Sequence, residues 1–164
     1  MIDIANKKIP NRFWVDNLLD IKHNQKYDII ISFFAVFNHL KNYKQFKTAL
    51  KNLLNILSNN GTVIIDLHNP QKSGSKTETI ENYSRNMSWK KCKILKKEFT
   101  KITYTINEKT YKSSHTFKIF NVKKLIKIAT KLGFSNIKCF ENYNINQPAK
   151  KHSKNIQLVL SKKN

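Results

Sequence analysis

Apolar positions along the chain fall into two kinds of pattern. Lys26-Tyr27-Asp28 leads into the run Ile29-Ile30-Ile31-Ser32-Phe33-Phe34, whose consecutive apolar positions predict a strand buried on both faces, as parallel strands are. Tyr43, Phe46, Leu50, Leu53, Leu54 and Leu57 then recur at steps of three and four, with Lys44, Lys47 and Lys51 between them. That spacing predicts an amphipathic helix, and Asn59-Asn60-Gly61 reads as its C-terminal stop. Thr62-Val63-Ile64-Ile65-Asp66-Leu67 follows as a second buried strand with a carboxylate near its end, which completes a βαβ unit. Upstream, Arg12-Phe13-Trp14-Val15 is a shorter apolar run ending at Asp16.

Beyond the second strand the period changes. The stretch from His68 to Asn86 is polar, carries Pro70, Ser73, Gly74 and Ser75, and predicts a long exposed loop of a length that suggests function. Three β-rich pieces, around Trp89 to Phe99, Ile102 to Ile106 and Tyr111 to Ile119, alternate polar with apolar residues and predict an antiparallel meander over about 87–120 with one wet face. A second helix is expected from Asn121 as N-cap through Val122, Leu125, Ile126, Ala129 and Leu132, stopping at Gly133. Two strands, Asn136 to Tyr143 and Ile156 to Leu160, close the chain, and no linker divides its 164 residues into two domains.

Composition narrows the chemistry. With only Gly61, Gly74 and Gly133, the chain contains no glycine-rich phosphate or dinucleotide loop. Cys92 and Cys139 stand far apart and the five histidines lie singly, which argues against a metal site or a disulfide framework. The longest apolar run is about half the roughly 20 residues of a membrane helix, and no signal peptide is visible, so a soluble cytoplasmic protein is expected. The net charge of +21 ordinarily points to a polyanion partner. Here 29 of the 31 basic residues are lysine, and lysine, asparagine and isoleucine together make up 70 residues, a bias that A/T-rich codons produce. Arginine, the usual bidentate reader of phosphate and guanine, is almost absent, which makes nucleic acid the less favoured partner.

The order Tyr27 to Ser32, Phe37-Asn38-His39-Leu40, a helix ending in Asn60-Gly61, then Val63-Ile64-Ile65-Asp66 resembles the second half of class I S-adenosylmethionine-dependent methyltransferases. The closing helix with Leu132-Gly133-Phe134 and the last strand pair resemble that family's carboxyl end, so the resemblance covers essentially the whole chain. It implies an α/β fold: a truncated Rossmann-like methyltransferase sheet with an inserted antiparallel β-meander, of the kind found in small-molecule methyltransferases. The family's first strand, glycine-rich loop and acidic second-strand end have no counterpart, and Met1 to Lys8 resembles the helix that follows them. The expectation is therefore one partial methyltransferase domain over 1–164, in which Ile29 to Phe34 becomes an unpaired apolar edge.

Ligands of open α/β sheets bind beyond the C-terminal ends of the strands, and the candidate residues follow from that. By resemblance Asp16, at the end of a short third strand, would face the adenine with Asn17 and Leu18; equally, Asp16 could be a loop carboxylate or a helix cap. Phe33, Ala35 and Val36 would line the pocket of the implied cofactor, S-adenosylmethionine. His39 and His68 are the catalytic base candidates; the alternative is a structural role at a strand-to-helix junction for His39 and turn chemistry leading into Pro70 for His68. Asp66 and Asn69 are candidate substrate ligands, or turn residues leading into Pro70. Trp89, Tyr104, Tyr111 and Phe117 could wall a substrate cavity or simply pack the meander. The function so implied is methyl transfer to a small amine or hydroxyl acceptor, needing an amino-terminal half that is encoded separately or lost. The alternatives are a non-catalytic basic RNA-binding protein or an inactive remnant.

Overall fold

The computed structural model describes residues 2–70 and 72–162. A short helix α1 (Ile2–Lys8) is followed by an irregular segment, then by β1 (Tyr27–Ser32), a 3-10 turn (Val36–His39), α2 (Tyr43–Ile56) and β2 (Leu57–His68). Four strands, β3 (Gly74–Ile80), β4 (Tyr83–Cys92), β5 (Lys97–Ile106) and β6 (Lys109–Lys118), come next. Helix α3 (Val122–Leu132) leads into β7 (Phe134–Glu141), β8 (Asn144–Pro148) and β9 (Asn155–Lys162). Among the described residues the strands make a five-stranded sheet in the order β1-β2-β9-β7-β8 and a separate antiparallel sheet β3-β4-β5-β6.

The core forms on one face of the first sheet. Val63, Ile65 and Leu67 alternate inward from β2, and the antiparallel register places Leu160, Leu158 and Ile156 of β9 opposite them. Helices α2 and α3 close this layer with Phe46, Ala49, Leu50, Leu53, Leu125 and Ala129, all buried. Both helices begin on an asparagine cap. Asn42 Oδ1 accepts from the Gln45 amide at 3.0 Å, and Asn121 Oδ1 accepts from the Lys124 amide at 3.2 Å. The expected stop at Gly133 is present as a left-handed C-cap with φ 101°.

Several expectations are corrected. Residues 12–16 form no strand: Phe13, Trp14 and Val15 are exposed, and an isolated bridge joins Asn17 to Asp20. An extended segment without a neighbour to complete its ladder is not held as a strand. The strand β1 is half-buried, and on one face only. It pairs in parallel with β2 and is otherwise an edge, and no element among the described residues covers its second face, so Ile29 and Ile31 stay 62% and 53% exposed. The polar stretch 68–86 is largely a β-hairpin, because Gly74 to Ile80 pairs in unbroken register with Tyr83 to Trp89. The meander thus has four strands over 74–118, and a turn at 93–96 interrupts the piece expected from Trp89 to Phe99. Strand β8, a short polar segment paired only to β7, was not foreseen. Met1, part of the expected first helix, lies outside the described residues.

The Asn59-Asn60-Gly61 signal also works differently from a helix stop. Helix α2 gives way directly to β2 at Leu57, and the left-handed residue is Asn60, with φ 60°. Gly61 serves close packing instead: a Cβ there would lie 2.7 Å from Leu57 Cγ and 2.9 Å from the Ser58 carbonyl oxygen. Leu57 is itself buried, so little room exists for it to move. Replacing Gly61 by alanine is expected to cost about 1–3 kcal/mol through overpacking. Urea unfolding should show a lower midpoint, and a midpoint equal to wild type would contradict this account.

Candidate functional site

The second sheet stands over the C-terminal end of β2. One face of it carries Met87 and Trp89 from β4, Glu98, Thr100 and Ile102 from β5, and His115 and Phe117 from β6, and the register sets them side by side: Met87 opposite Ile102, Trp89 and His115 opposite Thr100, Phe117 opposite Glu98. These residues and His68 line a mainly apolar, partly open cavity of about 300 Å³. Trp89 is fixed by an indole N–H donated to the Lys72 carbonyl at 3.0 Å. Gly74 faces it across the hairpin, where a Cβ would sit 2.8 Å from the indole ring.

Asn38 holds this arrangement together. Its side chain is buried in the 3-10 turn after β1; Nδ2 donates to the His68 carbonyl at 2.9 Å and to the Lys118 carbonyl at 2.8 Å, while Oδ1 accepts from the His68 amide at 2.9 Å. His39 follows in the same turn, with its ring 4.7 Å from that of Phe117 and 5.9 Å from that of His115. Burial, with the charge of His115 added, holds the His39 imidazole below its ordinary pKa, so it stays neutral near pH 7.

His68 has a specific partner. Its Nε2 lies 3.2 Å from Oε2 of Glu98, a carboxylate whose side chain is only 3% exposed and whose Oε1 accepts from Thr100 Oγ1 at 2.9 Å. Burial alone would raise the Glu98 pKa, but the hydrogen bond and charge of His68, the Thr100 hydroxyl and the nearby Lys91 together hold it below the ordinary carboxylate value. Glu98 was not singled out from the sequence, where it sits in a lysine-rich stretch like any surface glutamate. The available signal was its inward phase in the alternation Glu98, Thr100, Ile102.

Other candidates lie elsewhere. Asp66 is buried on β2 but outside the cavity: Oδ1 accepts from Gln157 Nε2 at 3.1 Å. Burial, with a hydrogen bond and charge from Asp66, raises the Tyr143 phenol, and the Tyr143 ring meets Phe33 edge-on at 6.0 Å. Asn69 donates to the Ser153 carbonyl at 2.9 Å and fixes the loop after β2. Asp16 accepts from the Asn17 amide at 2.7 Å and from the Lys22 amide at 3.4 Å; Asn17 makes a local turn with Leu19, and Leu18 packs on the core. At the end of β1, Phe33, Phe34 and Val36 are exposed while Ala35 is buried in a left-handed conformation with φ 57°. Of the four aromatic candidates, Trp89 and Phe117 line the cavity; Tyr104 lies beside Tyr83, and Tyr111 is exposed. Among the described residues no group of three or more His, Cys, Asp and Glu is placed to hold a metal, and no helix is long and apolar enough to cross a membrane.

No protein-family model and no curated protein matches the chain. Solved structures do. An S-adenosylmethionine-dependent methyltransferase from Clostridium acetobutylicum superposes with a TM-score of 0.83 at 14% identity, over 99% of this chain and 69% of that one. The chain has a methyltransferase fold. An amino pentose methyltransferase from Micromonospora echinaspora, solved with S-adenosylmethionine bound, is similar at a TM-score of 0.74 and 11% identity, over 98% of this chain and 69% of its own. A sugar N-methyltransferase from Streptoalloteichus is similar at 0.73 and 10%, over 99% of this chain and 67% of its own. The chain spans 63–69% of the length of the first such structures. Within this fold, the α/β sheet and the antiparallel sheet over its strand ends are the parts expected from the sequence.

The neutral state of His39 has a consequence for stability. Because its folded pKa lies below the unfolded value, its contribution is whole above about pH 6.5 and is lost as pH falls from there toward the folded pKa. The unfolding midpoint of the wild type is expected to fall more steeply across that window than that of His39→Gln. Parallel slopes would contradict it.

Proposed function

We propose that this chain is the acceptor-binding portion of a methyltransferase that uses S-adenosylmethionine and acts on a small amine or hydroxyl compound. The observation that carries the reading is the apolar cavity with its single His68–Glu98 pair, roofed by the antiparallel sheet at the C-terminal end of β2 in a methyltransferase fold. A partly open, mostly apolar space of that size suits a small organic molecule, whose orientation a few polar groups can fix. Nucleic acid is less suited, since one of the two arginines, Arg85, is engaged with Glu78 at 3.4 Å.

The fit to the cofactor is one-sided. Phe33, Phe34 and Val36 offer exposed apolar surface for a purine ring at the end of β1, and Ser32 Oγ there is buried without a hydrogen-bond partner among the described residues. Asp16 is occupied with backbone amides, and no glycine-rich turn stands by to admit the methionine end. The residues present therefore do not by themselves hold S-adenosylmethionine. In this reading the remaining wall comes from a further polypeptide segment laid along the open edge of β1, on the same chain or another.

Titrating the purified chain with S-adenosylmethionine in a calorimeter is expected to give no saturation in the micromolar range. Micromolar binding would overturn the need for a further segment. A chimaera that adds the part of the amino pentose methyltransferase which this chain does not cover is expected to bind the cofactor and to transfer tritiated methyl to members of a panel of small amines and alcohols. A folded, cofactor-binding chimaera that methylates none of them, or one that methylates RNA instead, would refute the acceptor reading.

A further inference from the structure

The turn between β4 and β5 exposes apolar side chains that the fold does not use. Ile94 is 92% and Leu95 52% exposed in the turn 93–96, and Ile94 is the most exposed large apolar residue among those described. Neither packs against the core. The turn is held by its backbone instead: the Lys96 carbonyl accepts from the Ile119 amide at 2.8 Å, and the Leu95 carbonyl accepts from Lys118 Nζ at 3.3 Å. Polar residues at 94 and 95 would serve such a turn at least as well.

Positive charge surrounds this tip. Lys90, Lys93 and Lys96 are exposed and Lys97 is half-buried, and none of the four is ion-paired among the described residues. The adjacent carboxylate, Glu98, is turned into the cavity and bound to His68 and Thr100. The strand alternation that sends Glu98, Thr100 and Ile102 inward sends Lys97, Phe99 and Lys101 outward, with Lys90 opposite Phe99. Glu78 and Glu98, the two carboxylates in the strands of this sheet, both fall in the inward phase, so the outward face of β3 to β6 carries none. Codon bias raises the number of lysines, but it does not decide which positions face outward.

We propose that the β4–β5 turn, with the outward sheet face beside it, docks this protein on an anionic lipid bilayer. Ile94 and Leu95 enter the boundary of the acyl chains while the lysines around them meet lipid phosphates. A convex tip of two aliphatic side chains offers far less than the roughly 800 Å² per partner of a stable protein interface. A bilayer closes around such a tip without having to match its shape. Single-stranded RNA would suit the lysines but leave the aliphatic pair idle, since bases stack on aromatic side chains and arginine, and Phe99 is the one aromatic residue of the outward face. Apolar tips within a ring of ammonium groups match the layering of a membrane surface, anionic outside and apolar within. Covering one aliphatic side chain strengthens binding roughly tenfold or more, and each lysine at anionic headgroups adds about fivefold.

Vesicle flotation of the full chain tests this, with membranes of phosphatidylcholine alone and of phosphatidylcholine mixed with phosphatidylglycerol. Wild type is expected to float with the mixed vesicles only. Ile94→Ser combined with Leu95→Ser leaves the net charge at +21 and is expected to weaken that binding about tenfold or more. Lys90→Gln with Lys93→Gln is expected to weaken it about twentyfold. Lys123→Gln with Lys127→Gln removes the same charge from exposed positions of α3 and is expected to change it little. Serine variants that float like wild type, or equal losses from the two lysine pairs, would overturn the proposal. Tighter binding to oligouridylate than to the mixed vesicles at the same salt, lost in Lys90→Gln with Lys93→Gln, would assign the surface to RNA and overturn it as well. No cofactor enters these measurements, so their outcome stands apart from the methyltransferase reading.

Discussion

A single buried carboxamide sets where the two sheets meet. Asn38 has three strong hydrogen-bonding requirements once it leaves water, and each is met by backbone: two from His68 at the end of β2 and one from Lys118 at the end of β6. Leaving any of them unmet would cost about 1–3 kcal/mol, so the turn after β1, the last residue of β2 and the last strand of the second sheet behave as one unit. The cavity exists because that junction brings the inward face of β4, β5 and β6 over His68. Its polar contents follow the same logic. Glu98 is tolerated in the interior only because Thr100 and His68 satisfy it, which in turn restrains the imidazole.

The first sheet is lopsided for a related reason. Its inner face is filled by α2 and α3, whereas Ile29 and Ile31 on the far side of β1, and Phe34 just beyond, meet solvent. Parallel strands are normally covered on both faces, and β1 carries the continuous apolar run of such a strand without the coverage. The run Tyr27 to Ser32 has no proline, no bulge-making glycine and one charge, Asp28, so it lacks the devices that keep edges from pairing. The uneven layer and the one-sided cofactor wall of the proposed reading are two descriptions of one gap.

How much of this was legible depended on whether a feature is local. The helices could be read because the three-four spacing of Phe46, Leu50, Leu53 and Leu54 and the caps at Asn121 and Gly133 are set by neighbours in sequence. The alternation in 97–118 likewise announced strands with one wet face. Where a partner decides the outcome, the sequence misled. Arg12 to Val15 looks like a strand but has no ladder to join, and the polar stretch 74–80 looks like a loop but is held by its pairing with β4. His68 and His39 were legible as titratable groups at strand ends; Glu98 and Asn38, which decide what surrounds them, were not, because only the fold shows that their polar atoms are buried together.

The proposed division of the site between a finished acceptor side and an open cofactor side has an energetic meaning. Fully covering an isoleucine or phenylalanine side chain is worth about 1.5–3 kcal/mol, so a segment that covers Ile29, Ile31 and Phe34 would gain several kcal/mol before any backbone hydrogen bond to β1 is counted. That gain falls at the point where apolar walls beside a reacting centre are needed to exclude water and strengthen charge interactions. The proposed acceptor side needs no such help. Its cavity, its carboxylate–imidazole pair and the junction that positions them are all supplied by elements that pair and pack within the described residues. In the proposed reading acceptor recognition is therefore separable from cofactor recognition, and a segment laid against β1 would complete the second without having to build the first.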